Sequence, residues 1–457
     1  MLTAKLRETL MATTAGHVNY HDKVRSRIID LLKQDSLTFT QLLERSLNCD
    51  PAILLRTIEE LVADDTLRSF NESDGIVRYR SNTLRIQPLR SSCSRIIGGN
   101  GDRNRPATSH STNNSEVILG DLLNSLSKPS PVYSQWWFSE KIYRKLLSLI
   151  TALAKPSLPT AFLGCPTLGA LFSRASQSSV TILDIDHIVL SSLSNFCSKS
   201  SELIHYDAAH PPDKRLMNAF QLVIIDPPWS TSTLKLFLAR SASLVALGGR
   251  IVISFPQTLT RPSIPREREE FLKLADDLGF VLQQVICDAT EYSVPYFEYN
   301  AYKQIGISLK EPWRKGDCFI FTKVKDKTFS EIHVVPERKY KWDQYRLDSS
   351  RVFLKRDGQD ETGVPTISPI PQIEDFVYPA TSSRSEAWET ASLVTTSNCI
   401  ARAHGRAELS RILGRISEGK FVKTQRLGSQ PSGYLKTLES CLRTMLGNPD
   451  YIGREIS

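Results

Sequence analysis

Asp226-Pro227-Pro228-Trp229 sets a carboxylate, two prolines and a flat indole in consecutive positions. Directly before it stands Leu222-Val223-Ile224-Ile225, an apolar run that reads as a buried strand. A strand ending this way delivers the tetrapeptide to the carboxyl edge of a sheet, where open α/β sheets bind ligands. Proline lacks an N–H and fixes φ, so the turn is rigid and its carbonyls face the cleft as acceptors. Acceptors beside a flat ring suit an amino group on a planar or aliphatic body. The amine donates to Asp226 and to the Pro227 carbonyl, which directs the nitrogen lone pair at an electrophile, while Trp229 stacks on the rest. The competing reading is a strand-terminating turn without chemistry.

Upstream lie three more such segments. Ala161-Phe162-Leu163-Gly164 runs into Cys165-Pro166-Thr167-Leu168-Gly169; Thr181-Ile182-Leu183-Asp184 ends in an acid, as does Leu203-Ile204-His205-Tyr206-Asp207. Helical segments separate them, so the pattern predicts an α/β fold with a parallel, doubly wound Rossmann-like sheet. In such a sheet the first turn, here Gly164, Pro166 and Thr167, lets a ligand approach the backbone. An acid after the second strand, Asp184, accepts from both ribose hydroxyls, and one after the third, Asp207, accepts from an adenine amino group. That is the layout of an S-adenosylmethionine (SAM) site. Gly164-x4-Gly169 matches no dinucleotide fingerprint, and Asp184 and Asp186 also read as ordinary surface carboxylates; the order of the four elements carries the expectation. Cys165 reads as a small packing residue.

These residues resemble two families. Asp226-Pro227-Pro228-Trp229 matches the [DNS]-P-P-[YFW] motif of amino-directed, SAM-dependent methyltransferases. With Tyr133-Ser134-Gln135-Trp136-Trp137-Phe138-Ser139, the strand ending at Asp184, Tyr206-Asp207 with Pro211, and Phe220 through Trp229, the chain resembles the N6-adenine-methyltransferase-like family, which includes elongation-factor lysine methyltransferases. The resemblance implies that Tyr133 and Trp136 contact the acceptor, an adenine amine in nucleic acid or a protein lysine. Over roughly residues 18 to 325 the chain also resembles the branched-chain polyamine synthases (bis-aminopropyl spermidine synthases). Phe162-Leu163-Gly164, Ile182-Leu183-Asp184-Ile185-Asp186, Asp226-Pro227-Pro228 and Leu236-Phe237-Leu238-Ala239-Arg240 carry that likeness. It implies the alternative activity, aminopropyl transfer from decarboxylated SAM. Those synthases hold a Gly-Asp-Asp-Asp run where this chain has Gly164-Cys165-Pro166-Thr167, and a polycationic acceptor needs such carboxylates.

The elements that must position this site divide the chain. Residues 18–85 read as a winged helix-turn-helix: helices at His21–Lys33, Thr38–Leu47 and from Asp50 to about Ala63, then a hairpin of Thr66–Phe70 and Gly75–Tyr79. This motif reads DNA through its third helix. Here that helix holds Arg56 against Glu59 and Glu60, which favours protein docking or a homodimer. Residues 86–116 read as a Ser/Asn/Arg/Gly linker, and 117–327 as the Rossmann-like domain. Within the latter the expectations are helices at Val117–Leu126, Ser232–Leu247 and Glu269–Leu278, strands at Arg250–Phe255, Val281–Asp288 and Cys318–Val324, and a lid at Pro256–Arg268. Tyr292 to Tyr302 reads as an aromatic-rich loop, either pocket wall or packing. Residues 328–395 look irregular and mixed, and 396–457 form a basic, mainly helical extension.

Composition sets the outer bounds. The chain has 457 residues, 40% of them hydrophobic, and a net charge of +8, which fits several packed domains. Its apolar runs are too short to span a bilayer, and the first residues lack a signal-peptide core. Eight cysteines without a CxxC pair point to neither zinc nor disulfides, so no metal, no membrane and a cytoplasmic setting are expected. From Arg402 to Arg443 nine Lys/Arg face three Glu; such a stretch either neutralises phosphates or forms a solvated helix face.

Overall fold

The computed structural model describes residues 14–33, 35–72, 74–82, 112–155, 157–326, 340–347, 349–356, 364–371, 373, 376–380, 385–417, 442 and 445. The first unit holds α1 (Thr14–Leu32), β1 (Leu37–Thr38), α2 (Phe39–Arg45), α3 (Pro51–Ala63), β2 (Leu67–Asn71) and β3 (Val77–Ser81), with its strands in the antiparallel order β1-β3-β2. Its helices start where local chemistry dictates. Thr38 and Gln41 form a reciprocal capping box at α2. Asp50 accepts from the Ala52 and Ile53 amides at α3, with Pro51 in the first turn.

This unit shares its core with the next one. Val24, Ile28, Leu42, Leu54 and Leu61 pack in one cluster with Leu259, Tyr299, Tyr302 and Trp313. Tyr20 Oη donates to the Leu259 carbonyl at 2.8 Å, Asn48 Nδ2 to Thr260 Oγ1 at 2.6 Å, and Tyr302 Oη to Asp50 Oδ2 at 2.6 Å. The first turn of α3, which a DNA-reading helix would offer to a groove, is therefore docked on protein.

The second unit runs α4 (Thr112–Ser125), α5 (Glu140–Leu153), β4 (Thr160–Leu163), α6 (Pro166–Ala175), β5 (Val180–Asp184), α7 (His187–Leu193), β6 (Ser201–His205), β7 (Phe220–Ile225), α8 (Thr231–Leu244), β8 (Val245–Pro256), α9 (Ile264–Asp277), β9 (Phe280–Tyr292), α10 (Tyr296–Gln304) and β10 (Arg314–Lys323). The seven-stranded sheet has the order β6-β5-β4-β7-β8-β10-β9, parallel from β6 to β8 and antiparallel at β10 and β9. Alternation along the strands divides the core between its faces. Phe162, Ile182, Leu222, Ile224 and Val252 pack on one side, and Ala161, Leu163, Leu183, Val223, Ile225 and Ile253 on the other.

The third unit is an antiparallel sheet of β11 (Trp342–Leu347), β12 (Ser350–Lys355), β13 (Thr366–Pro369), β14 (Leu393–Thr395) and β15 (Ile400–His404), in the order β11-β12-β14-β15-β13, with α11 (Glu386–Thr390) and α12 (Arg406–Ser417).

Several expectations are corrected. Tyr292 ends a strand, and the stretch expected to be an aromatic loop is mostly the helix α10, buried from Tyr296 through Tyr302. The expected lid is not a free segment: its second half is the start of α9, and Arg268 donates to Asp317 Oδ2 at 2.9 Å. The helix after Trp229 stops at Leu244, and Val245 already enters β8. The third parallel strand ends at His205, which leaves Asp207 in the following turn. The region expected to be irregular supplies four of the five strands of the third sheet, and the extension expected to be mainly helical starts with β15, which pairs with β14 across the 395/396 division. In the basic segment Arg406 is paired with Asp343 and Arg411 with Glu408. Most of its remainder, and most of the expected linker, lie outside the described residues.

Asp50 closes both α3 and the contact between units. Asp50→Ala should cost about 1–3 kcal/mol, because it removes a cap and leaves a buried phenol unpaired. Asp50→Asn, which keeps the cap, should cost less. Urea unfolding followed by tryptophan fluorescence reads both; an unchanged midpoint for Asp50→Ala would show that this contact holds nothing.

Candidate active site

Strand order decides which residues meet. Because β6, β5, β4 and β7 are neighbours and run parallel, their ends bring Asp207, Asp184, Gly164 and Asp226 along one edge of the sheet. Gly164 has φ of 72°, and a Cβ there would stand 2.8 Å from Phe237 Cε1 and 3.0 Å from the Asp226 carbonyl oxygen. Only glycine lets the first loop pass this close to the tetrapeptide. Pro166 opens α6, and Cys165 before it gives no side-chain cap, so the first amides of the helix keep their donors for a ligand. The Cys165 thiol donates to the Ile224 carbonyl at 3.6 Å, and burial pushes its pKa well up; it packs as a neutral group.

The carboxylates differ in their commitments. Asp184 is buried, and its Oδ1 accepts from the Asp186 amide at 2.8 Å. Asp207 Oδ1 accepts from the Ala209 amide at 3.0 Å, and Arg240 fixes the same turn through the Ala208 and Ala209 carbonyls. Asp186, fully buried, caps α7 and forms an ion pair with Arg351 of β12. Gln135 completes that cluster: its Nε2 donates to Asp186 Oδ2 at 2.8 Å, and its Oε1 accepts from Arg351 Nη2 at 2.7 Å. The third sheet is thus fastened to the loop that follows Asp184.

Around the tetrapeptide, Tyr292 Oη donates to Asp226 Oδ1 at 2.6 Å. With its proton committed there, the phenol receives its second bond from Ser254 Oγ, 2.7 Å away, and Thr290 Oγ1 lies 3.2 Å from Ser254 Oγ. Desolvation raises the Asp226 pKa to about 7, against the opposing bonds from Tyr292 and Ser254; burial and the neighbouring Asp226 keep the Tyr292 phenol protonated. Trp229 meets Tyr292 edge to face at 5.3 Å. Its Cζ2 would lie 2.8 Å from a Cβ on Gly316 of β10, so that glycine makes room for the indole.

Of the two residues expected at the acceptor, Trp136 lies on the same wall as Trp229. It packs edge-on against Phe297 at 5.5 Å, and the Arg314 guanidinium lies 4.1 Å from its ring and 5.8 Å from that of Trp229. Tyr133 does not join them; it packs edge-on at 5.9 Å against Phe353 in the core of the third unit. Thr167, expected at the cofactor, is buried, and its Oγ1 accepts from Tyr143 Oη at 2.9 Å. That bond ties α6 to α5 and takes the hydroxyl away from the open edge. Sequence reasoning did not single out Ser254, Glu298, Arg314 or Arg351. Tyr292 lay in a stretch with a flagged aromatic excess but no indication of which ring mattered.

Residues 131–261 match the family model of probable N6-adenine methyltransferases. This stretch is a SAM-dependent methyltransferase domain. It spans β4 to β8 and includes Gly164, Asp184, Asp207 and the Asp226–Trp229 turn. Among solved structures the chain is similar to the branched-chain polyamine synthase from Thermus thermophilus, bound to N4-aminopropylspermidine and 5'-methylthioadenosine: TM-score 0.51 and 13% identity, over 68% of this chain and 91% of that one. It is also similar to a TehB-like SAM-dependent methyltransferase from Corynebacterium glutamicum, with TM-score 0.28 and 16% identity, over 39% of this chain and 87% of that one. At such identities the first likeness speaks for the fold alone. No curated protein sequence matches the chain. Among the described residues of the methyltransferase and its flanking units, no helix is long and apolar enough to cross a membrane.

Four outcomes follow from this geometry. An amine donor needs Asp226 as an acceptor, so methyl transfer should rise with pH through about 7, as the carboxyl loses its proton. Tyr292→Phe removes a bond that favours the carboxylate and should move the inflection to higher pH. The folded-state pKa lies above the ordinary value, so the charge destabilises the fold above pH 7, and Asp226→Asn should raise the thermal midpoint there. A flat pH profile in the wild type would contradict this. For the cofactor edge, Asp184→Ala should weaken SAM at least about tenfold in calorimetric titration, through loss of a charged acceptor; unchanged affinity would misplace the ribose.

Proposed function

We propose that the chain transfers a methyl group from SAM to an amino group presented at the Asp226–Trp229 turn, the acceptor being an adenine N6 amine in nucleic acid or a protein lysine. The observation that carries this reading is the contact between the two loops: Gly164 lies against the Asp226 carbonyl, with 3.0 Å left for any added Cβ. Cofactor edge and amine acceptors thereby share one wall. Asp184 and Asp207 would hold the ribose and adenine, and the uncapped start of α6 would take the cofactor's carboxylate. When bound, SAM supplies an electrophilic methyl group.

The chain's own residues do the rest. Asp226 Oδ1 is already bonded to Tyr292, which leaves Oδ2 for one amine hydrogen and the Pro227 carbonyl for another. Fixing both hydrogens aims the lone pair, and such orientation supplies several kcal/mol of the barrier. With a pKa of about 7, Asp226 can hold the proton that the methylated amine sheds. The packed rings of Trp229, Tyr292 and Phe138 keep water from competing as nucleophile. Aminopropyl transfer is the weaker reading, because the first loop, Gly164-Cys165-Pro166-Thr167, offers a polycation no carboxylate.

Nucleic acid as the acceptor would draw on the exposed Arg402, Arg411 and Arg415 and on the basic residues beyond them. Self-association through the first unit would use the exposed Phe70, Ile76 and Val77 of its hairpin.

Labelled SAM and total cell extract test the function, with the product sorted by nuclease and protease digestion. Asp226→Ala should leave SAM affinity nearly intact and cut transfer at least about a hundredfold, since it removes orientation and not cofactor contacts. Normal turnover in that variant would reduce the motif to a structural turn.

A further inference from the structure

Arg314 is the first residue of β10, paired in register with Tyr292, the residue that holds Asp226. Its guanidinium stands 4.1 Å from the ring of Trp136, 4.9 Å from that of Trp313 and 5.8 Å from that of Trp229. Its Nη2 donates to Glu298 Oε1 at 2.9 Å, and Glu298 is fully buried on α10. We propose that Arg314, held by Glu298, is the specificity residue of the acceptor pocket: it admits a neutral planar amine and turns away cationic ones. This rests on the reading of the site as an amine methyltransferase.

The pair is a fixed dipole whose cationic end forms part of the wall shared by the two indoles. A second cation brought onto Trp229 would lie close to that charge, 5.8 Å from the ring, and like charges at such range repel. Glu298 is committed to Arg314, which leaves Asp226 as the pocket's acceptor carboxylate, and burial weakens Asp226 as a counter-ion near neutral pH. A lysine ammonium or a polyamine therefore meets repulsion without full compensation. A neutral ring meets the opposite situation. Guanidinium planes and indoles both stack on nucleobases, and Arg is suited to this where Lys is not. The planar cation thus adds a stacking surface for the acceptor that the site favours and a barrier for those it rejects.

The test uses the full-length protein, labelled SAM and five acceptors. Poly(dA) and poly(dC) carry exocyclic amines, poly(dT) carries none, and poly-L-lysine and spermidine are the cationic probes. The variant is Arg314→Gln combined with Glu298→Gln, which keeps a hydrogen-bonding pair and removes both charges; SAM affinity and thermal unfolding report whether it folds. The wild type should label poly(dA) or poly(dC) and not poly(dT), poly-L-lysine or spermidine. The double variant should raise the KM for the labelled polymer about tenfold with kcat changed less than about threefold, and should gain transfer to a cationic probe. Transfer by the wild type to poly-L-lysine or spermidine, or an unchanged KM in the double variant, overturns Arg314 as the selector and leaves the amine methyltransferase reading standing. Absence of SAM binding, or of transfer to every acceptor, overturns both.

Discussion

A half-buried carboxyl group at the end of β7 is the constraint around which the site is arranged. Left alone, Asp226 would take up a proton and lose its use as an acceptor. Burial pushes it in that direction, and a phenol donating to one oxygen pulls it back, so that its pKa settles near 7. The phenol sits correctly only because β9 ends at Tyr292, where β10 pairs with it, and because Ser254 on β8 bonds to the phenol oxygen. Strands on the antiparallel side of the sheet thus set the chemistry of a residue on the parallel side. Gly164 brings the cofactor loop against that residue from the opposite direction.

The nine-residue helix α10 joins the site to both flanking units. Tyr302 reaches Asp50 of the first unit, Asn300 Nδ2 donates to the Ser397 carbonyl of the third at 2.8 Å, and Phe297 and Glu298 support Trp136 and Arg314 between them. Arg351 and Gln135 provide a second fastening at the cofactor edge, through Asp186. Both appended units therefore bear on the central domain next to the candidate site, one through α10 beside Trp136 and Arg314 and one through Asp186 beside Asp184.

Much of the central domain was legible because buried parallel strands are short continuous apolar runs, and the residues ending them meet along one edge of the sheet. Placing Asp184, Gly164 and Asp226 on that edge needed nothing more. α10 was hidden for the opposite reason: with Tyr296 through Tyr302 all buried, no polar face remains to give a helical period. β12 was masked by Arg351 and Lys355, charged residues buried in a strand. The side chains of Thr167 and Tyr133 are drawn away from the Asp226 turn by partners far along the chain, Tyr143 and Phe353, which no local pattern announces. Arg314 likewise draws its meaning from Trp136 and Glu298, which reach it only once the sheet is assembled.

Methyl transfer to an amine leaves a diagnostic co-product. The purified protein would be supplied with SAM or with decarboxylated SAM, together with cell extract as the source of acceptor, and the nucleoside released would be identified by mass. Methyl transfer releases S-adenosylhomocysteine from SAM, and that nucleoside is the expected product, with Asp226→Ala abolishing it. Release of 5'-methylthioadenosine from decarboxylated SAM alone, with SAM left unconsumed, would mean that the turn serves aminopropyl transfer and not methyl transfer.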